Sequence, residues 1–204
     1  MRALRIVIVL FLFFSKGNAQ ETRSLFDGKS LDGWEIIDFG GQGKISVRED
    51  AIVIEAGEPL SGIRWTKDFP KANYEVNLQA KRVRGSDFFC GMTFPVKDSF
   101  LTLVLGGWQG YVNGLSSIDG YDAANNETYD SYGFSHDRWY WIRLRVTDKK
   151  IEAWADDSRI VDFTIGNHDL SLRFEMEPTV PFGISTYYTT GAVRFITVTM
   201  ISDQ

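Results

Sequence analysis

Cysteine occurs once and histidine twice in the 204 residues, and each scarcity removes a class of function. With Cys90 alone no intramolecular disulfide can form, so the core must hold the fold without covalent staples. No histidine neighbours Cys90 in sequence, and its apolar surroundings Phe88-Phe89-Cys90-Gly91-Met92 read as a buried, inert thiol. His136 and His168 lie in separate loops, which excludes zinc held by two histidines one helical turn apart. The basic side chains are scattered singly through a chain of net charge −5, so the patch that phosphate neutralisation needs is missing and nucleic acid is excluded as a partner. Gly40-Gly41-Gln42-Gly43 and Gly106-Gly107 lack the strand-to-helix setting of a phosphate cradle. Amphipathic helical periodicity is absent too.

What is present is aromatic and β-forming. Phe 15, Tyr 8 and Trp 6 supply one sizeable core, and 44% hydrophobic with 24% charged residues is a globular balance. Residues 1–19 read as a secretory signal peptide: Arg2 and Arg5, then the apolar run Ile6 to Phe14, then Gly17-Asn18-Ala19 at the cleavage position. That run is far short of the roughly 20 residues a membrane span requires. Cleavage after Ala19 removes three cations and takes the charge to −8, so the expected product is an acidic protein, secreted or periplasmic, with no membrane span.

Residues 22–202 carry no Gly/Ser or Pro linker and no internal repeat, and are read as a single domain. Tyr74, Val76, Leu78 and Ala80 alternate with Glu75, Asn77, Gln79 and Lys81, and Tyr140, Ile142, Leu144 and Val146 alternate with Trp141, Arg143 and Arg145. A period of two marks strands with one buried and one wet face. Glu49-Asp50, Asp148-Lys149 and Asp156-Asp157-Ser158 mark hairpin turns, and Ala192 to Ile201 a closing strand. About a dozen short strands at this spacing predict an all-β sandwich or jelly roll of two antiparallel sheets. The longest stretch without a strand signal, Gly114 to Ser135, is expected to be a binding loop or lid.

That loop carries Asp119, Asp122, Asn125, Asn126, Glu127, Tyr129 and Asp130, close in sequence to Trp108, Tyr111 and Asn113, with Asp87 expected on a neighbouring strand. Carboxylates and carboxamides bind sugar hydroxyls, and flat aromatic faces stack on ring C–H groups, so the mixture suits a carbohydrate pocket; solvated turns have the same composition. His136 borders the loop as an acid or base candidate, whereas His168 reads as a surface turn residue. Asp119, Asp122 and Asn125 offer the hard oxygens that Ca²⁺ takes, but at a spacing unlike a calcium loop, so no cofactor is expected beyond that candidate. Asn126-Glu127-Thr128 is a glycosylation sequon, relevant only in a eukaryotic host.

Ser24-Leu25-Phe26-Asp27-Gly28-Lys29-Ser30-Leu31-Asp32-Gly33-Trp34 resembles the opening of the 3-keto-disaccharide hydrolase domain family. The resemblance continues through Asp50–Ile54, Asn73–Val76, Arg138–Arg143, Ile151–Asp157, Pro181–Ile184 and Ala192–Ile196. It implies a concanavalin-like jelly roll with a sugar pocket on its concave sheet, acting on glycosides already oxidised at C3. A C3 ketone acidifies the C2 proton, so one base and one enolate-holding group suffice. On that reading Asp87, Asp119, Glu127 or His136 is the base, Arg64 or Asn113 holds the enolate, and Trp108 stacks on the sugar, with Asn125 a further ligand to its hydroxyls. The family's Asn-Ser-Gly motif and following arginine are replaced here by Gly85-Ser86-Asp87-Phe88. A noncatalytic carbohydrate-binding or adhesion module is therefore the competing reading, with a partner-binding domain a third.

Overall fold

The computed structural model describes residues 21–201, which leaves the signal-peptide reading of residues 1–19 outside the described residues. Fourteen strands run in chain order: β1 Thr22–Ser24, β2 Trp34–Ile36, β3 Ile45–Arg48, β4 Ala51–Ile54, β5 Leu60–Trp65, β6 Tyr74–Arg84, β7 Gly91–Val96, β8 Ser99–Gly106, β9 Val112–Ser116, β10 Tyr140–Val146, β11 Lys150–Ala155, β12 Ser158–Thr164, β13 Gly183–Tyr187 and β14 Thr190–Met200. Eight form one antiparallel sheet, β12-β11-β10-β6-β14-β4-β3 with β1 on β14, and six form the other, β2-β5-β13-β7-β8-β9. This is the expected all-β sandwich of two antiparallel sheets. One apolar cluster fills the space between them.

The alternation read from sequence sets the inner faces. Tyr74, Val76, Leu78 and Ala80 of β6 pair in register with Val146, Leu144, Ile142 and Tyr140 of β10, and all eight are fully buried. From the other sheet Met92, Phe94, Leu101, Leu103 and Leu105 meet them. Cys90 lies in this core, where burial pushes its thiol up to about 12, too high for a nucleophile at neutral pH.

The opening motif closes one end. Asp27 Oδ1 accepts the amides of Lys29 and Ser30, each at 2.8 Å, making a tight turn. Trp34 Nε1 donates to the Leu25 carbonyl at 2.7 Å, and its ring meets Trp65 edge-on at 5.3 Å. Gly33 is left-handed at φ 80, and a Cβ there would sit 2.5 Å from the Trp65 ring, so the glycine before Trp34 is dictated by backbone conformation and close packing.

Two expectations differ from the structure. Asp87 is not on a strand: β6 ends at Arg84 and residues 85–90 form a bend before β7. There Asp87 Oδ1 accepts the amide of Phe88, a local bond that competes with strand pairing. The strandless excursion also begins later, after Ser116, because β9 pairs with β8 through Ser116–Thr102 to Asn113–Leu105.

Candidate functional site

The outward face of the six-stranded sheet is built from small residues, because alternation puts Leu101, Leu103, Met92 and Phe94 inside and leaves Thr102, Val104, Gly91 and Thr93 outside. Ser185 and Gly62 extend the row on β13 and β5, and Ser116 on β9. Three segments lie over this floor. The β6–β7 bend brings Phe88 onto Gly91, and the 3-10 helix Phe174–Thr179 packs on β5 and β13. The excursion after Ser116 covers the β9 edge, where Asp130 and Asn113 exchange backbone bonds of 2.8 and 2.9 Å.

Between these covers is a cavity of about 400 Å³, lined by Asp87, Trp108, Ser116, Asp122, Arg173, Glu175 and Tyr187 among others. Two of the lining residues each have an oxygen buried without a hydrogen-bond partner, Ser116 Oγ and Glu175 Oε2. A buried polar atom left unpaired costs roughly 1–3 kcal/mol, so such atoms beside a cavity call for a partner, a water or a polar group of a ligand. The other carboxylate oxygen, Glu175 Oε1, accepts from Arg173 Nε at 2.5 Å, which holds a guanidinium at the same cavity.

Trp108 reaches the cavity on a strained turn. Gly106, Trp108, Gln109 and Gly110 have φ of 71, 48, 64 and 94, and each non-glycine residue in that region costs about 1–3 kcal/mol. Two charged groups hold the turn. Asp87 Oδ2 accepts the Gln109 amide at 3.1 Å while Oδ1 holds Phe88 at 2.8 Å. Arg82, buried on β6, donates to the carbonyls of Gly106 at 3.1 Å and Phe134 at 3.3 Å. Burial lowers the Arg82 guanidinium below its usual value, and the nearby Asp87 carboxylate partly offsets this. Gly106 has a left-handed φ of 71, which favours glycine, and a Cβ there would also push Arg82 Nη2, 2.2 Å away, off its place. Asp87→Asn is expected to lower stability by about 1–3 kcal/mol, because one backbone amide loses its acceptor. Thermal unfolding measures this, and an unchanged midpoint would contradict the clamp.

The sequence candidates divide. Asp87 and Trp108 line the cavity; Asn125 does not, but its Nδ2 donates at 2.7 Å to Oδ1 of Asp122, which does. Asn113 is fully buried and committed: its Oδ1 accepts the Gly106 amide, and its Nδ2 donates to Asp130 Oδ1 and the Tyr132 carbonyl. Arg64 is elsewhere, paired with Glu35 at 2.8 Å, and His136 is exposed where it bridges Arg82 of β6, outside the lining. Asp119 and Glu127 gather on His168 instead, at 2.6 Å to Nδ1 and 3.3 Å to Nε2. Of the calcium candidates, Asp119 also accepts the Asp169 amide, and Asp122 Oδ1 takes the Ala124 amide as well as Asn125. Among the described residues no group of three or more His, Cys, Asp or Glu side chains is arranged to hold a metal ion.

Arg173, Glu175 and Ser116 were not legible as site residues. Arg173-Phe174-Glu175-Met176-Glu177-Pro178 carries no motif, and its one signal is an irregular stretch between two strands with Phe174 at 80% exposure. Asn126 organises the excursion: its Nδ2 lies 2.7 Å from the Leu115 carbonyl and 2.9 Å from that of Asp122, while its Oδ1 accepts from Thr128.

The His168 cluster ties the excursion to the turn after β12 and predicts a pH dependence. The Asp119 hydrogen bond raises His168 above its ordinary 6.5, and the bond to His168 lowers Asp119 below its ordinary 3.8. The histidine's contribution is fully present below its unfolded value and is lost as pH rises through its raised folded value. That of Asp119 is present above 3.8 and is lost as pH falls through its lowered folded value. The melting difference between wild type and His168→Ala is therefore expected to be widest near about pH 5–6 and to narrow in mildly alkaline buffer. A difference that widened with pH would contradict the assignment.

Over residues 21–199 the chain matches the family described as the 3-keto-alpha-glucoside-1,2-lyase-like domain. The chain belongs to that family. The resemblance that begins at Ser24–Trp34 is thus borne out. No curated protein matches the chain in sequence. Among solved structures it is similar to the Crh5 transglycosylase in complex with NAG, with a TM-score of 0.60 and 12% identity over 89% of this chain and 84% of that one. The carbohydrate binding module CBM66 from Bacillus subtilis gives 0.54 and 10%, covering 82% of this chain and 95% of that one. Domain 4 of AbnA, a GH43 extracellular arabinanase from Geobacillus stearothermophilus, gives 0.54 and 13%, covering 84% of this chain and 84% of that one. At such identities the likeness is one of fold.

Proposed function

We propose that the cavity binds a saccharide and that the protein cleaves 3-keto-glycosides by proton abstraction at C2 and elimination at C1. The observation that carries this reading is Glu175 Oε2, buried without a partner at a cavity that also holds the Arg173 guanidinium, the unpaired Ser116 hydroxyl and the ring of Trp108. Family membership and neighbours whose names include a transglycosylase and a carbohydrate binding module support carbohydrate as the ligand class.

The elimination uses few parts. Glu175 Oε2 takes the C2 proton, and the C–H electron pair becomes the C2–C3 enolate with its charge on the C3 oxygen, facing Arg173. Re-forming the C3 carbonyl drives the pair into a C1–C2 double bond as the C1–O bond breaks. The departing oxygen recovers the proton from Glu175, and water added across the double bond completes hydrolysis. Trp108 stacks on the ring, and Asp122 with Ser116 hydrogen-bonds hydroxyls. Asp87 acts through the turn that carries Trp108.

The competing reading, a binding module without turnover, has one observation in its favour: the Gly85-Ser86-Asp87 replacement of the family motif. The experiment is incubation with a 3-keto-disaccharide, following release of the free sugar and the 3-keto product. Turnover supports the enzyme; binding with no turnover moves the assignment to the module. Export rests on the sequence of residues 1–19 and is part of this proposal.

A further inference from the structure

The outward face of the eight-stranded sheet, remote from the cavity in the fold, is divided in two by its side chains. At one end every charge is paired: Glu75 with Arg145 at 2.9 Å, Arg159 with Glu152 and Asp162, and Lys150 with Asp162. At the other end lie Trp139, Trp141, Trp154 and Phe195 with three cations, Lys81, Arg143 and Arg194, none of which has a carboxylate within ion-pair distance among the described residues.

Register explains the clustering. Arg143 of β10 pairs with Trp154 of β11 on one side and Asn77 of β6 on the other, while Trp141 and Arg194 both flank Gln79. The Arg143 guanidinium lies over the Trp154 ring at 3.8 Å, and Arg194 lies over Trp139 at 4.2 Å. Trp141 is 51% and Phe195 50% exposed, and their rings stack at 6.1 Å with 21° between planes. The β14 bulge between Arg194 and Thr197 turns Phe195 out to meet Trp141. A hollow of about 320 Å³ is bounded by Asn77, Trp141, Arg143, Trp154, Asp156 and Asp157. Of its two acids, Asp156 is committed to the Trp141 amide and Arg138.

We propose that this face is a second binding site, for an acidic polysaccharide. Flat exposed rings suit the C–H faces of successive sugars, and guanidinium groups without carboxylate partners suit uronate or sulfate groups bidentately. Unpaired cations gathered at one place on an acidic chain repel one another until an anion arrives, which gives charge complementarity to a polyanion rather than to a neutral glycan. The site is independent of the cavity reading and would bring the protein to an acidic glycan surface whatever the cavity does.

Affinity electrophoresis through gels containing polygalacturonate, with dextran as the neutral control, tests this. Wild type is expected to be retarded by polygalacturonate and not by dextran, with retardation weakening as salt rises. Trp141→Ala and Arg143→Ala should each weaken it about tenfold, and Glu175→Gln should leave it unchanged. Trp141 is half exposed, so matching circular dichroism of the variants separates lost binding from lost fold. No retardation by polygalacturonate, equal retardation by dextran, or a loss that follows Glu175→Gln instead of Trp141→Ala overturns the proposal. So does a dimer of the free protein that dissociates in Trp141→Ala and excludes the glycan.

Discussion

Glu175→Gln is expected to reduce turnover of a 3-keto-disaccharide by about 10²–10⁴-fold, the usual range for removing a positioned general base. The amide keeps the shape of the side chain and one oxygen for Arg173, so the cavity and its saccharide affinity should persist while the proton acceptor is lost. That split separates a base from a binding contact: KM stays within a few-fold while kcat collapses. Arg173→Lys is the companion variant, because ammonium preserves charge but not the planar fork that meets an enolate oxygen beside a carboxylate. Equal turnover by wild type and Glu175→Gln would remove Glu175 from the mechanism and make Asp122, the other acid of the lining outside the Trp108 turn, the next base to test.

Phe182→Ala is expected to destabilise the domain by about 3–5 kcal/mol, lowering the melting midpoint by roughly 10–15 °C for a chain of this size. Phe182 is fully buried ahead of β13 and stacks on Phe69 at 4.5 Å with only 3° between planes, while Trp34 approaches at 5.9 Å. Truncation leaves a cavity between rings that cannot collapse, since Trp34 is held by its bond to the Leu25 carbonyl. Because this end of the sandwich contains the opening motif, the same variant tests how tightly the Asp32-Gly33-Trp34 turn is packed. A loss below about 1 kcal/mol would mean that the motif packs loosely.

The strands were legible because their signal is local. Alternation from Tyr74 to Ala80 and from Tyr140 to Val146 assigns the buried face residue by residue, and the register then follows from keeping both apolar sets inside. Asp87 was misplaced because an apolar run, Phe88-Phe89-Cys90, reads as strand until its own carboxylate is seen to cap the Phe88 amide. Trp108 and Asp87 were legible as members of the mixture of acids, amides and aromatics that suits a sugar. Asp119 and Glu127 looked equally good, yet a histidine more than 40 residues later draws both away from the cavity. Glu175 gave no signal, since what distinguishes it is an oxygen left without a partner, a property of packing.

By itself the amino-acid sequence determined the two-sheet β architecture, the identity of the inward faces and the family, because a period of two and a tight Asp-Gly-Trp turn act within a few residues. Which carboxylates share a cavity was decided only by tertiary structure. Asp87, Trp108, Asp122 and Glu175 sit on four separate connections, and they meet because the sheet beneath them brings distant loops over one floor of small side chains. Chain order carries no record of that meeting, which arises from strand pairing between β13, β7, β8 and β9.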